Sequence, residues 1–228
     1  MQLHPDFSYR VDYVGNERQP VLVVDSFLSD PDTLVEFCVR NAQFNNADAF
    51  YPGMRASAPD VYLQAIHHHL KNIIYTTFSI DDSMVRRVQA DYSMVLTAPA
   101  KLRSAQCLPH CDSLISSELA AVYYLCGSDK GGTSLYRHRD TGYEYIDSSR
   151  SATYFEELKN GLNKTAYPQC YMNGSNQLFE QIASYEAVFN RMIIYRCTSL
   201  HSGNIAPDFV FDPNPRTGRL TLNTFIGN

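Results

Sequence analysis

Leu108-Pro109-His110-Cys111-Asp112-Ser113 is the stretch around which the rest of the sequence can be interpreted. In an extended strand, side chains at positions i and i+2 project from the same face, so the imidazole of His110 and the carboxylate of Asp112 would converge. One histidine and one carboxylate are two members of a facial triad, a ligand set that leaves positions on Fe(II) open for substrate and dioxygen. His201, which follows an apolar segment at 192–197, is the candidate third ligand. A His-x-Asp triplet is common by itself, and a lone histidine is more often a structural residue than a ligand.

Length and composition indicate an ordinary globular chain. The 228 residues are 44% hydrophobic and 19% charged, with a formal net charge of -5 and an isoelectric point near 5.8. This length suits one substantial core, so we predict a single domain over residues 1–228. No basic stripe is present that could neutralise phosphates, which argues against a nucleic-acid partner. The sequence shows no secretory signal and no apolar run of membrane-spanning length, so we expect a cytoplasmic protein without a membrane partner. The oligomeric state stays open.

The first 83 residues predict one strand and two helices. The β-branched run at 20–28 indicates a strand, and the polar residues after it are typical of a helix start near residue 31. Apolar residues at helical spacing predict helices at 31–41 and 59–76. His67, His68 and His69 are consecutive in the second helix, so they point in different directions and are interpreted as a partly solvated face, not as a metal site.

The remainder, residues 84–228, predicts a β core. Short segments rich in β-branched and aromatic residues, bounded by turn residues, indicate strands at 84–96, around His110, and at 119–126, 132–137, 192–197 and 219–226. Most follow one another without a crossover helix, which favours antiparallel pairing and two packed sheets or a jelly roll. The predicted fold class is mainly β with flanking helices (α+β). The polar interval 138–187, with a short helix at about 152–162, is too long for a simple connection and is predicted to cover the mouth of the site.

The six cysteines leave a zinc site as an alternative. They form no C-x-x-C pair, which favours buried free thiols in a reducing compartment. Cys107 with Cys111, and Cys197 with His201, are pairs at i and i+4 that would converge on a helix. Both segments are predicted to be extended, where such residues lie roughly 13 Å apart, so a shared zinc ion is disfavoured.

Five segments in order resemble the core of the 2-oxoglutarate and Fe(II)-dependent oxygenases, with the prolyl-hydroxylase-like branch closest in layout. They are Leu108-Pro109-His110-Cys111-Asp112, Ala120-Ala121-Val122-Tyr123-Tyr124-Leu125 leading to Gly131-Gly132-Thr133-Ser134-Leu135-Tyr136, Arg191-Met192-Ile193-Ile194-Tyr195, Leu200-His201-Ser202-Gly203, and Gly218-Arg219-Leu220-Thr221-Leu222-Asn223-Thr224-Phe225-Ile226. The resemblance covers roughly residues 84–228. It implies a double-stranded β-helix, a jelly-roll variant, that holds Fe(II) by His110, Asp112 and His201.

The resemblance also implies a 2-oxoglutarate site at the start of the last core strand, where Arg219 is the basic residue. Independently, arginine is the side chain whose planar fork matches a carboxylate, and Thr221 at i+2 would share its face and add a hydroxyl. Arg219 lies further beyond His201 than is usual in the family, which makes Arg216 a rival for the same role. Other candidate co-substrate contacts are Tyr92, Tyr124 and Tyr136, although a buried tyrosine is more often simply part of the core.

The resemblance thus implies a 2-oxoglutarate-dependent dioxygenase, with Fe(II) and 2-oxoglutarate as cofactors, that hydroxylates or otherwise oxidises a small-molecule or peptide substrate. The alternative is a non-catalytic jelly-roll protein that binds a metal or a small ligand, because fold alone does not separate the two. Tyr143, Tyr145, Tyr154 and Phe155 of the interval 138–187 are candidate substrate contacts.

Overall fold

The protein is described by a computed structural model that covers residues 1–46, 52–165 and 167–227. Along the chain its helices and longer strands are β1 (Ser8–Val14), β2 (Gln19–Asp25), α1 (Asp32–Asn41), β3 (Asn45–Asn46), β4 (Met54–Ser57), α2 (Asp60–Phe78), β5 (Arg87–Met94), β6 (Leu119–Tyr124), β7 (Gly132–His138), α3 (Ser151–Lys164), β8 (Phe179–Glu186), β9 (Met192–Arg196), β10 (His201–Asn204) and β11 (Leu220–Gly227).

The strands form two sheets. One has eight strands in the order β1-β2-β9-β6-β11-β5-β4-β3, and the other has three in the order β10-β7-β8. Every strand pair within the described residues is antiparallel, as predicted. The predicted class, mainly β with flanking helices, is therefore confirmed.

The larger sheet is covered on both faces, by the helices on one side and by the smaller sheet on the other, and successive side chains along its strands point alternately to the two faces. On β11, Leu220 and Leu222 face the helices, while Thr221 and Asn223 face the smaller sheet. Side chains of β2, β6 and β9 on that second face pack against Leu135 and Tyr185 of the smaller sheet. The two sheets therefore enclose an apolar layer between them, and the cavity that contains His110, Asp112 and His201 lies between the same two sheets.

Helices α1 and α2 cover the other face of the larger sheet, and all four of their ends lie within two residues of the predicted bounds. The apolar stripe of α2, which includes Tyr62, Leu70 and Phe78, is buried against the sheet. The helix ends where Ser79 adopts a left-handed conformation with φ 52°. His67 and His68 are exposed, as expected of a solvated face. None of the helices in the described ranges is long and apolar enough to cross a membrane.

A buried carboxylate ties the β1–β2 hairpin to the segment after β7. The side chain of Glu144 is 1% exposed and forms an ion pair with Arg137. Its two oxygens accept hydrogen bonds from the backbone N–H groups of Asn16 and Glu17, at 2.8 and 2.9 Å. A buried charge needs such partners, since desolvation would otherwise destabilise the fold.

Five strands and one loop differ from the sequence prediction, and two of these strands are the short β3 and β4. The polar start contains β1, and β10 begins at His201, neither of which the pattern indicated. The last part of the interval 138–187 is β8, which pairs with β7, because Phe179 and Tyr185 supply buried positions in an otherwise polar strand. The segment around His110 makes a single bridge to His201 and is not a strand.

Candidate active site

A cavity of about 430 Å³ lies between the two sheets beside β11. This volume is in the range of small-molecule sites. Strands β4, β5, β6, β9 and β11 form one wall, and β7 and β10 form the other. The charged and polar residues of the lining include Arg55, Arg87, Gln89, His110, Asp112, Glu118, Thr133, His201, Arg219 and Asn223.

The side chains of His110, Asp112 and His201 meet in this cavity. Nε2 of His110 lies 3.6 Å from Oδ1 of Asp112, and Nε2 of His201 lies 3.4 Å from Oδ2. One ligand atom from each of the three residues lies within 4.8 Å of the others. Two imidazoles and one carboxylate at these distances fit a divalent metal that keeps open positions. In the described part of the chain, no other group of three or more His, Cys, Asp or Glu residues converges in this way.

Backbone hydrogen bonds bring the two ligand segments together. His110 and His201 exchange N–H to carbonyl bonds, both 2.9 Å long. The N–H of Asp112 donates to the carbonyl of Cys197 at 2.8 Å, so the chain bends towards β9 directly after His110. This bend takes the place of the predicted strand. His110 still pairs with β10 through its bridge to His201, and the side chains of His110 and Asp112 still converge.

Both histidines are oriented by the backbone two residues before them. Nδ1 of His201 lies 3.0 Å from the carbonyl oxygen of Ser199, which fixes the proton on Nδ1 and leaves the lone pair of Nε2 available. His110 makes the corresponding hydrogen bond with the backbone of Leu108. Such bonds are the usual means of presenting a histidine to a metal.

The environment also favours the ligand form of His110. Burial, followed by the neighbouring charge of His201, lowers the pKa of His110 well below its usual value. At neutral pH the ring is therefore uncharged, as coordination requires. Burial raises the pKa of Asp112, while the neighbouring His201 and the positive charge of Arg55 act in the opposite direction. A bound cation would offset this cost of holding a carboxylate in the cavity.

Arg219 lies in the same cavity, immediately before β11. It is 4% exposed, and its Nη2 donates to the carbonyl of Gly132 at 3.0 Å, which anchors the guanidinium against β7. Gly132 has room for no side chain, because an added Cβ would lie 2.0 Å from the carbonyl oxygen of Tyr185. An anchored guanidinium in a buried setting is well suited to binding a carboxylate.

The rival arginine lies elsewhere. Arg216 is on the surface, where its Nε and Nη2 donate to the two carboxylate oxygens of Glu36 at 2.9 and 2.8 Å. The guanidinium of Arg216 is thus bound to the carboxylate of Glu36, and Arg216 does not line the cavity. Of the two arginines, only Arg219 is in a position to meet a ligand there.

Thr221 and the three candidate tyrosines do not line the cavity. Thr221 faces the same side as Arg219, and its hydroxyl donates to Oδ1 of Asn223, which is a lining residue. The hydroxyl of Tyr92 donates to the carbonyl of Leu34 on the helix side of the sheet. Tyr136 is buried on the outer side of the smaller sheet, 3.4 Å from Oδ1 of Asn204, and Tyr124 donates to Thr133 at 2.8 Å. A direct co-substrate contact is therefore wrong for Tyr92 and Tyr136 in this structure.

The interval 138–187 is also not where it was predicted to be. None of its described residues lines the cavity. Tyr154 and neighbouring apolar side chains of α3 pack in a separate cluster with Tyr136 and Phe179, behind the smaller sheet. Phe155 is exposed, and Arg150 lies over the rings of Tyr143 and Tyr145. The predicted cover over the mouth of the site is wrong for the part of the interval that is described.

Sequence reasoning missed the polar wall contributed by β4 and β5. Arg55 lies opposite Ser93 in the β4–β5 pair, and Arg87 and Gln89 follow along the same face of β5. The signal for β5 was present, because Ala90, Tyr92 and Met94 alternate with polar residues. Strand β4 has four residues and gave no comparable pattern.

Three solved structures share this fold over most of the chain. SnoN, described as an α-ketoglutarate-dependent epimerase from nogalamycin biosynthesis, is 7% identical with a TM-score of 0.52, over 92% of this chain and 78% of that one. The carbocyclase SnoK from the same biosynthesis is 12% identical with a TM-score of 0.50, over 92% and 80%. HygX from Streptomyces hygroscopicus, solved with nickel and 2-oxoglutarate bound, is 10% identical with a TM-score of 0.51, over 92% and 83%. The predicted jelly-roll fold is thereby confirmed.

Sequence comparison gives a family without an assigned function. No curated protein matches the chain. The family model described as "Family of unknown function (DUF6445)" matches residues 5–226, nearly the whole sequence. The chain, with its two-histidine, one-carboxylate cluster between two jelly-roll sheets, therefore belongs to the DUF6445 family.

Proposed function

We propose that this protein is an Fe(II)- and 2-oxoglutarate-dependent oxygenase that oxidises a small organic molecule. One observation carries the proposal: His110, Asp112 and His201 converge in the same cavity that contains the buried guanidinium of Arg219. A metal site alone would fit many functions. A metal site together with a buried carboxylate receptor fits an enzyme that binds an oxo acid next to its metal.

The three ligand residues are suited to hold Fe(II). Each imidazole offers Nε2 because its hydrogen bond to the backbone fixes the ring, and Asp112 supplies the one negative charge. Bound iron would supply the dioxygen and electron-transfer chemistry that no side chain provides. The protein's part is to orient the ligands, leave positions open and keep the site apart from bulk water.

Arg219 is the proposed anchor for the distal carboxylate of 2-oxoglutarate. Its Nη2 is tied to Gly132, so the fork has little freedom to lose on binding. The cavity lining also includes the apolar residues Ala120 and Val122 and the ring of Tyr195, and a lining with little water strengthens an ion pair. Thr221 supports this role indirectly, since its hydroxyl positions Asn223 on the same wall.

The comparisons support the class of cofactor and substrate. HygX has been solved with nickel, 2-oxoglutarate and the small molecule hygromycin B bound, at 11% identity and a TM-score of 0.51. A small-molecule substrate and 2-oxoglutarate as co-substrate are proposed here for this chain on the strength of its own cavity. Membership of the prolyl-hydroxylase-like branch stays a prediction.

The test is an anaerobic titration of the protein with Fe(II) and then 2-oxoglutarate, followed by visible absorption. We expect one iron per chain and a charge-transfer band that develops with 2-oxoglutarate. His201→Ala should lose both, whereas His67→Ala, which changes an exposed histidine on α2, should lose neither. Admission of oxygen should then convert 2-oxoglutarate to succinate. Stoichiometric iron without a band would contradict the 2-oxoglutarate site, and a band without succinate would favour a binding protein.

A further inference from the structure

The proposed function leaves part of the cavity without a role. Three arginines and two carboxylates line it: Arg55, Arg87, Arg219, Asp112 and Glu118. Asp112 serves the metal and Arg219 serves 2-oxoglutarate. The other three residues lie on the wall formed by β4, β5 and the start of β6, where neither cofactor is assigned.

Arg87 and Glu118 lie together at one end of this wall. Arg87 is the register partner of Gly227, and a Cβ added to Gly227 would meet the side chain of Glu118 at 2.5 Å. Arg87 is exposed and donates to Oε1 of Gln89 at 2.5 Å. Its Cα lies roughly 20 Å along β5 from Ser93, so this group forms the rim of the cavity.

Arg55 is placed deeper, near the metal ligands. Ala56 is packed in the core under the helices, so strand alternation turns Arg55 towards the cavity. Its partner Ser93 is paired in turn with Thr221 of β11, which puts the Cα of Arg55 about 10 Å across the sheet from Thr221. The charge of Arg55 also acts on the carboxylate of Asp112. A ligand bound at Arg55 would therefore lie beside the metal centre, two strands across the sheet from the strand that Arg219 precedes.

We infer that the molecule oxidised at this site carries an anionic oxygen group, a carboxylate or a phosphate, and that Arg55 receives it. The inference rests on the proposed function and extends it to a substrate class. A planar guanidinium is the side chain best matched to two anionic oxygens. With 2-oxoglutarate held at Arg219, a second arginine on the same wall of the cavity, two strands away on β4, offers the substrate an anchor of its own. The anion bound there would hold the rest of the substrate beside the metal ligands.

The inference can be tested by calorimetry on protein saturated with Ni(II) and 2-oxoglutarate, which does not turn over. The probes are three carboxylate and carboxamide pairs of increasing size: acetate and acetamide, benzoate and benzamide, 3-phenylpropanoate and its amide. We expect at least one carboxylate to bind about tenfold more tightly than its amide, the effect of one charge-assisted hydrogen-bonded pair. Phenyl phosphate, titrated alongside benzoate, decides between a carboxylate and a phosphate.

Two variants locate the receptor. Arg55→Gln should bring the carboxylate and its amide to within about twofold of each other, while Arg87→Gln at the rim should keep the wild-type preference. Arg55→Lys is the second variant, to be used if Arg55→Gln does not fold. It retains the charge but not the planar fork, so it should keep a reduced preference for the anion. The inference is overturned if no carboxylate outbinds its amide and phenyl phosphate does not bind either, if Arg55→Gln keeps the preference for the anion, or if Arg87→Gln removes it. It is also overturned if Arg55→Gln instead loses stoichiometric Ni(II), since Arg55 would then act by positioning Asp112.

The same preparations distinguish this inference from the proposed function. The Fe(II) and 2-oxoglutarate band is recorded for each variant, and Arg55→Gln should retain it. A band in the wild type without any carboxylate preference overturns the substrate class alone. A carboxylate preference that depends on Arg55, without a band, overturns the 2-oxoglutarate assignment and leaves an anion site at Arg55.

Discussion

Replacement of Arg219 by alanine should weaken 2-oxoglutarate binding far more than replacement of Arg216. Arg219 is 4% exposed and anchored to Gly132, so the bound carboxylate would lose a charge-assisted contact in a setting with little water to replace it. A hydrogen bond to a charged group contributes about 1.5 to 3 kcal/mol, and the dissociation constant should rise about 10- to 150-fold. Arg219→Lys should recover only part of this, because a single ammonium does not reproduce the fork.

Arg216→Ala is the matched control for that experiment. It removes an arginine three positions earlier in the sequence, but its fork is held by Glu36 on the surface. The variant should lose little stability, because an ion pair on the surface contributes little, and it should lose no measurable 2-oxoglutarate affinity. Calorimetric titration of the Ni(II) proteins gives both constants. A larger effect from Arg216→Ala would refute the assignment of Arg219, and no effect from either would refute 2-oxoglutarate binding at this end of β11.

Three further outcomes are expected. Ala substitution of His110 or Asp112 should abolish stoichiometric iron binding, and unchanged metal content by elemental analysis would show the triad to be wrong. Glu144→Ala should lower the free energy of unfolding by about 3 to 5 kcal/mol in urea titrations, since it leaves the Arg137 guanidinium and two backbone N–H groups without their buried acceptor. The control is Glu180→Ala, which removes the 41% exposed partner of the same arginine and should lower the free energy of unfolding by less than about 1 kcal/mol. Asn190→Ala should cost about 2 to 5 kcal/mol, because Asn190 bonds both the N–H and the carbonyl of Leu28 in the core, and a loss below 1 kcal/mol would contradict that role.

The convergence of His110 and Asp112 could be predicted from sequence because the two residues are only two positions apart. Their side chains meet in the cavity although the chain bends directly after His110 and the segment is not a strand. The position of His201 after a buried strand supplied the third ligand. The choice of Arg219 came from the resemblance, which implies a basic residue at the start of the last core strand, and the structure places Arg219 in the same cavity as the three side chains.

The alternation of residues along β5 could have shown which face of the sheet carries Tyr92. Tyr92 alternates with Asp91 and Ser93 on β5, so the face that carries Ala90 and Met94 is the core face and the polar residues face the cavity. A hydroxyl on the core face bonds a helix carbonyl instead of a ligand. Hydrophobic periodicity was used to find the strand but not to choose its face.

The remaining misses depend on contacts that are distant in sequence. Arg55 enters the cavity only because β4 pairs with β5, and nothing within four residues of sequence specifies that pairing. The interval 138–187 looked like a cover because it is long and polar. Its few apolar side chains, such as Tyr154 and Phe179, are enough to fold α3 and β8 behind the smaller sheet.

Strand β11 has a consequence for the order of folding during synthesis. It lies between β5 and β6 in the larger sheet, yet it follows every other described strand in sequence. Until the ribosome has released residues 220–227, β5 and β6 each carry an open edge, and the sheet exists as two separate halves. Open edges of this kind promote pairing with other chains. The insertion of β11 between β5 and β6 therefore completes the sheet of the nascent protein, and it brings Arg219 into the cavity with His110, Asp112 and His201 in the same step.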